Sequence, residues 1–287
     1  MRKTLLAAVA AALLLCGCGR SGVSAQPAVT VDPYAGKVQV ESGYGTKIWV
    51  KEYEELPVNP LRKVTVSETA EIRDENGVVY DTLRGIDVSE HQGLIDWTAL
   101  SGEQKPDFVI IRAGYRGYGE SGKLCIDTYF HENVRGAKEN GIPMGIYFFS
   151  QATTEKEAEE EAEFLLFLLT KYSPGDFSFP VFFDWEEISN DTARTDHVDG
   201  DTMTDCALAF CRRMERSGYS CGIYAYRSLA YFRYDLLRIA DYPLWIGALG
   251  TCPDYYYGFD IWQHSTAGAF PGIEGNVDVD MIFVPRE

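Results

Sequence analysis

The spacing of apolar positions changes character three times along this chain. Leu5 to Leu15 form one unbroken apolar run behind Arg2 and Lys3. The run is too short to cross a bilayer as a helix, and with its positive start it reads as an export signal over residues 1–17. Residues 18–37 exchange that apolar content for Gly, Ser, Ala and Pro, the composition of a flexible tether. Between 38 and 84 the period becomes two. Lys37-Val-Gln-Val-Glu41 and Lys47-Ile-Trp-Val-Lys51 alternate, and Asn76-Gly77 between two short alternating runs is a hairpin signal. This stretch reads as a small β-rich region, either a separate unit or an extension packed on the C-terminal domain. Its residues carry no evident chemistry.

From Gly85 onward short apolar runs alternate with helical segments. Strands are predicted over 107–112, 143–149, 179–186, 220–225, 243–246, 258–263 and 277–284. A first helix opens at Asp127, buries Phe130, Val134 and Ala137, and stops at Gly141. A second runs from Thr154, where Thr-Glu-Lys-Glu157 matches a capping box, to Lys171, its glutamates forming a solvated face. A third is capped within 202–205, turns Ala207, Phe210, Cys211 and Met214 inward, and ends at Gly218. This alternation implies parallel strands joined by crossovers. About eight strands point to a closed α/β barrel over residues 85–287. The last three strands stand too close together for a helix between each, so the barrel is expected to be irregular there.

Charge narrows the function classes. With 26 Lys+Arg against 43 Asp+Glu, the formal net charge is −17, which argues against nucleic-acid partners and against a basic membrane-binding patch. The 18 Tyr, 15 Phe and 5 Trp suit a core and also suit stacking on sugar rings. Beyond Cys16 and Cys18 stand Cys125, Cys206, Cys211, Cys221 and Cys252, with no CxxC pair. They read as small buried hydrophobes, a disulfide being left open. His91, His131, His197 and His264 show no ligand spacing to Asp184 and Glu186, so neither a metal nor a cofactor is expected.

Several predicted strands end alike, in polar or aromatic groups: Asp87, Arg112, Tyr147 with Phe149, Tyr224, and Trp262 with Gln263. A parallel barrel builds its active site at these C-terminal strand ends. The most informative run is Phe179-Pro-Val-Phe-Phe-Asp-Trp-Glu186. Side chains alternate faces in a strand, so Asp184 and Glu186 point the same way, with Cβ atoms about 6–7 Å apart. Two carboxylates that close do not both ionise freely. One is pushed up, giving a protonated acid beside an anion, the pair that glycoside hydrolysis uses.

The run Leu15-Cys16-Gly17-Cys18 resembles the lipobox of bacterial lipoproteins. The resemblance implies cleavage before Cys18, lipidation of its thiol, and an exported protein anchored at the bacterial cell membrane facing the wall. Gly85-Ile-Asp-Val-Ser-Glu-His-Gln-Gly93 followed by Ile95-Asp-Trp97 resembles the opening of glycoside hydrolase family 25, the Chalaropsis-type lysozymes. Phe108–Arg112, Gly145–Phe149, Phe183-Asp-Trp-Glu186, Gly222–Ala225, Leu244-Trp-Ile246, Ile261-Trp-Gln263 and Gly275-Asn-Val-Asp278 resemble its later blocks, in order.

The resemblance implies a flattened TIM-like barrel of eight strands with fewer helices. The activity it implies is hydrolysis of the β-1,4 bond between N-acetylmuramic acid and N-acetylglucosamine in peptidoglycan. Glu186 then matches the general acid/base. Asp184 matches its partner, stabilising the oxocarbenium-like state or orienting the 2-acetamido group. Asp87 and Asp278 match two further acids of the cleft, and Tyr147, Phe149, Arg112, Tyr224, Trp262 and Gln263 fall at positions expected to hold sugar. Partners are then peptidoglycan glycan strands and, through Cys18, the membrane, with the chain acting as a monomer. A departure at Val277-Asp278-Val279-Asp280 leaves open which acid lines the cleft, and Tyr226-Arg227 departs from the family's sixth strand. The competing reading is a catalytically silent wall-binding lipoprotein on the same fold.

Overall fold

The computed structural model describes residues 32–67, 71–189 and 191–286. The expected signal segment and Cys18 lie outside the described residues, as does the tether up to residue 31. Two compact units divide at residue 35. Of the first, the described residues 32–35 form a turn closed by Ala35 N–H donating to Asp32 O at 3.3 Å.

The second unit opens with an antiparallel pair, β1 (Lys37–Glu41) and β2 (Lys47–Lys51). Strand β3 (Ile72–Arg73) turns through Asn76-Gly77, with Gly77 at φ 87°, into β4 (Val79–Val88). Next come α1 (Trp97–Leu100), β5 (Phe108–Arg116), β6 (Leu124–Ile126), α2 (Phe130–Glu139), β7 (Met144–Ser150), α3 (Glu155–Leu169) and β8 (Val181–Trp185). The chain finishes with α4 (Gly200–Glu215), β9 (Cys221–Tyr226), α5 (Arg227–Phe232), β10 (Leu244–Gly247), β11 (Ile261–Gly268) and β12 (Val277–Pro285). Eight strands close a barrel in the order β4, β5, β7, β8, β9, β10, β11, β12 and back to β4. Seven run parallel, and β12 runs antiparallel to both neighbours. Helices α2, α3 and α4 pack outside β5, β7, β8 and β9, whereas β10 to β11 and β11 to β12 are joined without a helix.

The expected boundary between 84 and 85 is corrected: it cuts through β4, whose outer end belongs to the preceding region. Val40 and Val50 of the first hairpin are buried in the main core cluster, so residues 38–84 are no independent domain. Two helix starts are also corrected. Asp127 does not cap α2. Its carboxylate is drawn inward, accepting from Arg112 Nε at 2.8 Å and Glu90 N at 2.9 Å. Asp199, ahead of the predicted 202–205 cap, accepts from Thr202 N at 2.8 Å and caps α4. Within the glutamate-rich α3, Glu161 is not solvated. It is fully buried, accepts from Arg116 Nε at 2.7 Å, and burial pushes its carboxyl up to about 7.

Gly136 shows how closely α2 packs. In a helix interior Gly→Ala ordinarily stabilises by about 1 kcal/mol. Here a Cβ would lie 2.1 Å from Trp97 Cδ1 on α1. Gly136→Ala is therefore expected to destabilise the protein by about 1–3 kcal/mol through overpacking. Denaturant unfolding checks this, and an unchanged or higher midpoint would contradict the packing.

Candidate active site

Alternation along each strand sorts the barrel into two layers. Phe108, Ile110, Phe182, Trp245 and Ile261 point inward and fill the interior. Ile86, Val109, Ile111, Phe183, Trp185 and Val279 point outward to the surrounding core. Above the inner plug, polar residues at the next inward positions meet in a cavity of about 70 Å³. It is lined by Asp87, Tyr147, Asp184, Glu186, Tyr224, Tyr226, Trp245, Gln263 and Asp278. Seven strands deliver these groups, and β4, β8 and β9 do so from their C-terminal ends. Strand β12 delivers Asp278 from its beginning, because it runs the other way and places Asp278 opposite Asp87.

Gln263 ties the cavity together. Its Nε2 donates to Asp87 Oδ2 at 2.8 Å and, at 3.5 Å, to Asp278 Oδ2, while its Oε1 accepts from Tyr224 OH at 2.8 Å. Asp280, two residues along β12, lies deeper. It is fully buried and accepts from Trp245 Nε1 at 2.8 Å. The departure in the last block is thus resolved by position: Asp278 lines the cavity and Asp280 supports its floor.

Burial dominates the electrostatics. It raises Asp87, Asp278 and Asp280 above the usual carboxylate range. Asp184 is raised most of all by burial and next by Glu186 alongside it, Arg112 opposing. Glu186 is pushed up to about 7, also mainly by burial. Asp184 and Glu186 share a hydrogen bond and titrate as a pair. One oxygen of Asp184, Oδ1, is buried without a hydrogen-bond partner. Among the described residues, no cluster of three or more His, Cys, Asp or Glu side chains is arranged to hold a metal ion.

The sequence-predicted residues divide. Glu186, Asp184, Asp87, Asp278, Tyr147, Tyr224 and Gln263 come together in the cavity. Trp262 does not, and its expected sugar contact is corrected. Its neighbours Ile261 and Gln263 face inward, so it faces outward, 1 % exposed, donating to Ala248 O and stacked on Phe283. Arg112 stands apart from the cavity lining. It faces inward, but its guanidinium is held by Asp127 at 2.8 Å and Glu90 at 3.0 Å and lines no part of the cavity. Phe149 sits opposite Asp184 in the sheet register, half-buried and outside the cavity lining. Trp245 lines the cavity although sequence reasoning missed it, and Tyr226, singled out as a departure from the family's sixth strand, lines it as well. The inward alternation of Leu244-Trp-Ile-Gly247 was the available signal for Trp245.

The family model described as glycosyl hydrolases family 25 matches residues 86–273, which span the barrel from inside β4 to just short of β12. The chain belongs to this family. Among relatives of this family-25 chain, the uncharacterized protein YegX of Escherichia coli O157:H7 is 27 % identical over 217 residues, covering 70 % of this chain and 69 % of YegX. The modular autolysin LytC of Streptococcus pneumoniae has a solved structure with a TM-score of 0.60 and 26 % identity. That likeness covers 87 % of this chain but 57 % of LytC, so the chain spans little more than half of that relative's length. LytC has also been solved in complex with synthetic peptidoglycan ligand. A family 25 glycosyl hydrolase from Bacillus anthracis, at 21 % identity and a TM-score of 0.57, shares the fold over 76 % of this chain and 94 % of its own.

Proposed function

We propose that this protein is a peptidoglycan hydrolase that cleaves the β-1,4 bond between N-acetylmuramic acid and N-acetylglucosamine. We further propose that it is exported and held at the bacterial membrane through a lipid on Cys18. The observation that carries the enzymatic reading is the placement of Asp184 and Glu186 side by side on the inner face of the barrel, in a cavity walled by Tyr147, Tyr224, Tyr226 and Trp245. Family membership and the LytC complex with synthetic peptidoglycan ligand agree with this substrate class.

The chemistry derives from the pair. Glu186, whose carboxyl keeps its proton up to about pH 7, donates it to the departing glycosidic oxygen. Positive charge then grows at the anomeric carbon. The substrate's own acetamido oxygen closes on that carbon, and Asp184 holds the acetamido N–H through Oδ1, the buried acceptor without a partner. An N–H donor against Asp184 favours its ionised form, so substrate entry leaves the shared proton on Glu186, where donation needs it. Water then opens the ring formed on the sugar, returning a proton to Glu186. Asp87 and Asp278, fixed by Gln263, line the opposite wall and bear on the sugar hydroxyls.

Mass spectrometry of fragments released from purified peptidoglycan tests the assignment. Reducing ends on muramic acid are expected. Reducing ends on glucosamine would replace this bond by its neighbour, and wall that binds the protein yet stays uncut would establish the silent binder.

A further inference from the structure

The hairpin β1–β2 lies outside the residues matched by the family, and the sequence offers no chemistry within it. Its position is nevertheless fixed against the barrel mouth. Val40 and Val50 are buried in the core, and Tyr257 OH donates to Lys51 O at 3.0 Å while accepting from Tyr53 N at 3.0 Å. Gly43 at the turn abuts the Arg227 guanidinium, where a Cβ would come within 3.1 Å of Cζ. Arg227 is itself locked to Asp254 at 2.5 Å. Arg227 comes directly after Tyr226, the last residue of β9, so the hairpin tip lies against the rim of the catalytic cavity.

The tip is shaped to present one side chain. Ser42 N–H donates to Thr46 O at 2.8 Å, and the Ser42 and Thr46 hydroxyls are bonded at 2.8 Å. Tyr44 N–H donates to Ser42 Oγ at 3.1 Å. Gly43 and Gly45, at φ 87° and 71°, turn the chain on either side of Tyr44 in the left-handed region that favours glycine. The result is a Tyr44 side chain 92 % exposed on a backbone that is closely tied. Below it is a cavity of about 180 Å³, bounded by Ser42 and Tyr44 on the hairpin and by Tyr226, Gly247 and Leu249 on the barrel. Tyr226 lines this cavity and the catalytic one alike. Gly247 makes the junction close, since a Cβ there would meet Tyr224 OH at 2.6 Å and the Tyr226 ring at 3.0 Å.

We infer that the hairpin tip forms an additional subsite of the cleft, with Tyr44 as the platform on which a further pyranose ring of the glycan strand stacks. This rests on the proposed muramidase activity and adds to it the recognition of strand length. The occupant is argued from adjacency: Tyr226 is common to the two cavities, so a chain held across Asp184 and Glu186 has this space beside it. An aromatic face beside hydroxyls of Ser42 and Ser228 matches a sugar ring, apolar on its faces and hydroxylated at its edge.

The test uses the full chain and glycan strands freed of stem peptides. With long strands, Tyr44→Ala is expected to raise KM about five- to tenfold while kcat changes little, the signature of lost ground-state binding. With a disaccharide, which fills only the two positions flanking the cleaved bond, the same variant should show less than a twofold rise in KM, and Tyr44→Trp should restore the long-strand KM. Equal KM for Tyr44→Ala and the wild type on long strands would overturn the subsite, as would an equal rise on the short substrate. Sedimentation binding of long strands by Glu186→Gln, with and without Tyr44→Ala, reads the same subsite without turnover. Weaker binding by the double variant supports it and equal binding overturns it, even if the wild type proves inactive and the muramidase reading fails.

Discussion

Glu186→Gln is expected to lower kcat on peptidoglycan by about a thousandfold or more, since a positioned general acid contributes roughly 10²–10⁴ and a departing sugar oxygen needs its proton. Gln keeps the shape and polarity of the side chain, so the thermal unfolding midpoint should stay close to that of the wild type. The same proton sets the pH dependence. Burial raises Glu186 to about 7, so it is protonated below that pH and ionised above it. Because the reaction uses the protonated form, kcat/KM should fall as pH rises through about 7, approaching tenfold per unit beyond it. Kinetics from pH 5 to 9 check this. Substantial turnover by Glu186→Gln, or a rate that holds level to pH 9, would remove Glu186 from the donor role.

The second large effect is expected at Asp184. Asp184→Asn preserves volume but takes away the charge that faces the anomeric centre and the acceptor that holds the acetamido N–H. Loss of one such preorganised group costs about 10²–10³ in rate. The loss should appear in kcat and in kcat/KM together, with KM nearly constant, because the charge acts on the transition state more than on bound substrate. Steady-state kinetics on defined oligosaccharides, with Glu186→Gln measured alongside, separate the two roles. A kcat for Asp184→Asn within about threefold of wild type would leave Asp184 as a structural acid.

Much of this site was legible from alternation. The run Val181-Phe-Phe-Asp-Trp185 and the adjoining Glu186 placed Asp184 and Glu186 on one face and Trp185 on the other, as found. The same rule applied to Ile261-Trp-Gln263 would have turned Trp262 away from the sugar once Gln263 was placed inside. Reading both residues as sugar ligands ignored the period of two. Arg112 stands apart from the lining for a different reason. Alternation put it inward correctly, but its partners Asp127 and Glu90 come from loops distant along the chain, and no local pattern announces a buried ion pair. Asp127 looked like a helix cap because Asp is favoured there; its Oδ1 accepts from Tyr129 N just ahead of α2, while its Oδ2 takes the buried guanidinium of Arg112.

By itself the sequence located the eight barrel strands and the long helices α2, α3 and α4, and showed which two carboxyl groups stand together, because those depend on periods of two and 3.6 within a few neighbouring residues. The tertiary structure decided what depends on the order in which strands meet. It turned β12 antiparallel, so that Asp278 reaches the mouth from the beginning of its strand and Asp280 drops beneath it onto Trp245. It also folded an N-terminal hairpin back onto the barrel and set Tyr44 and Tyr226, residues far apart in the chain, along one cavity.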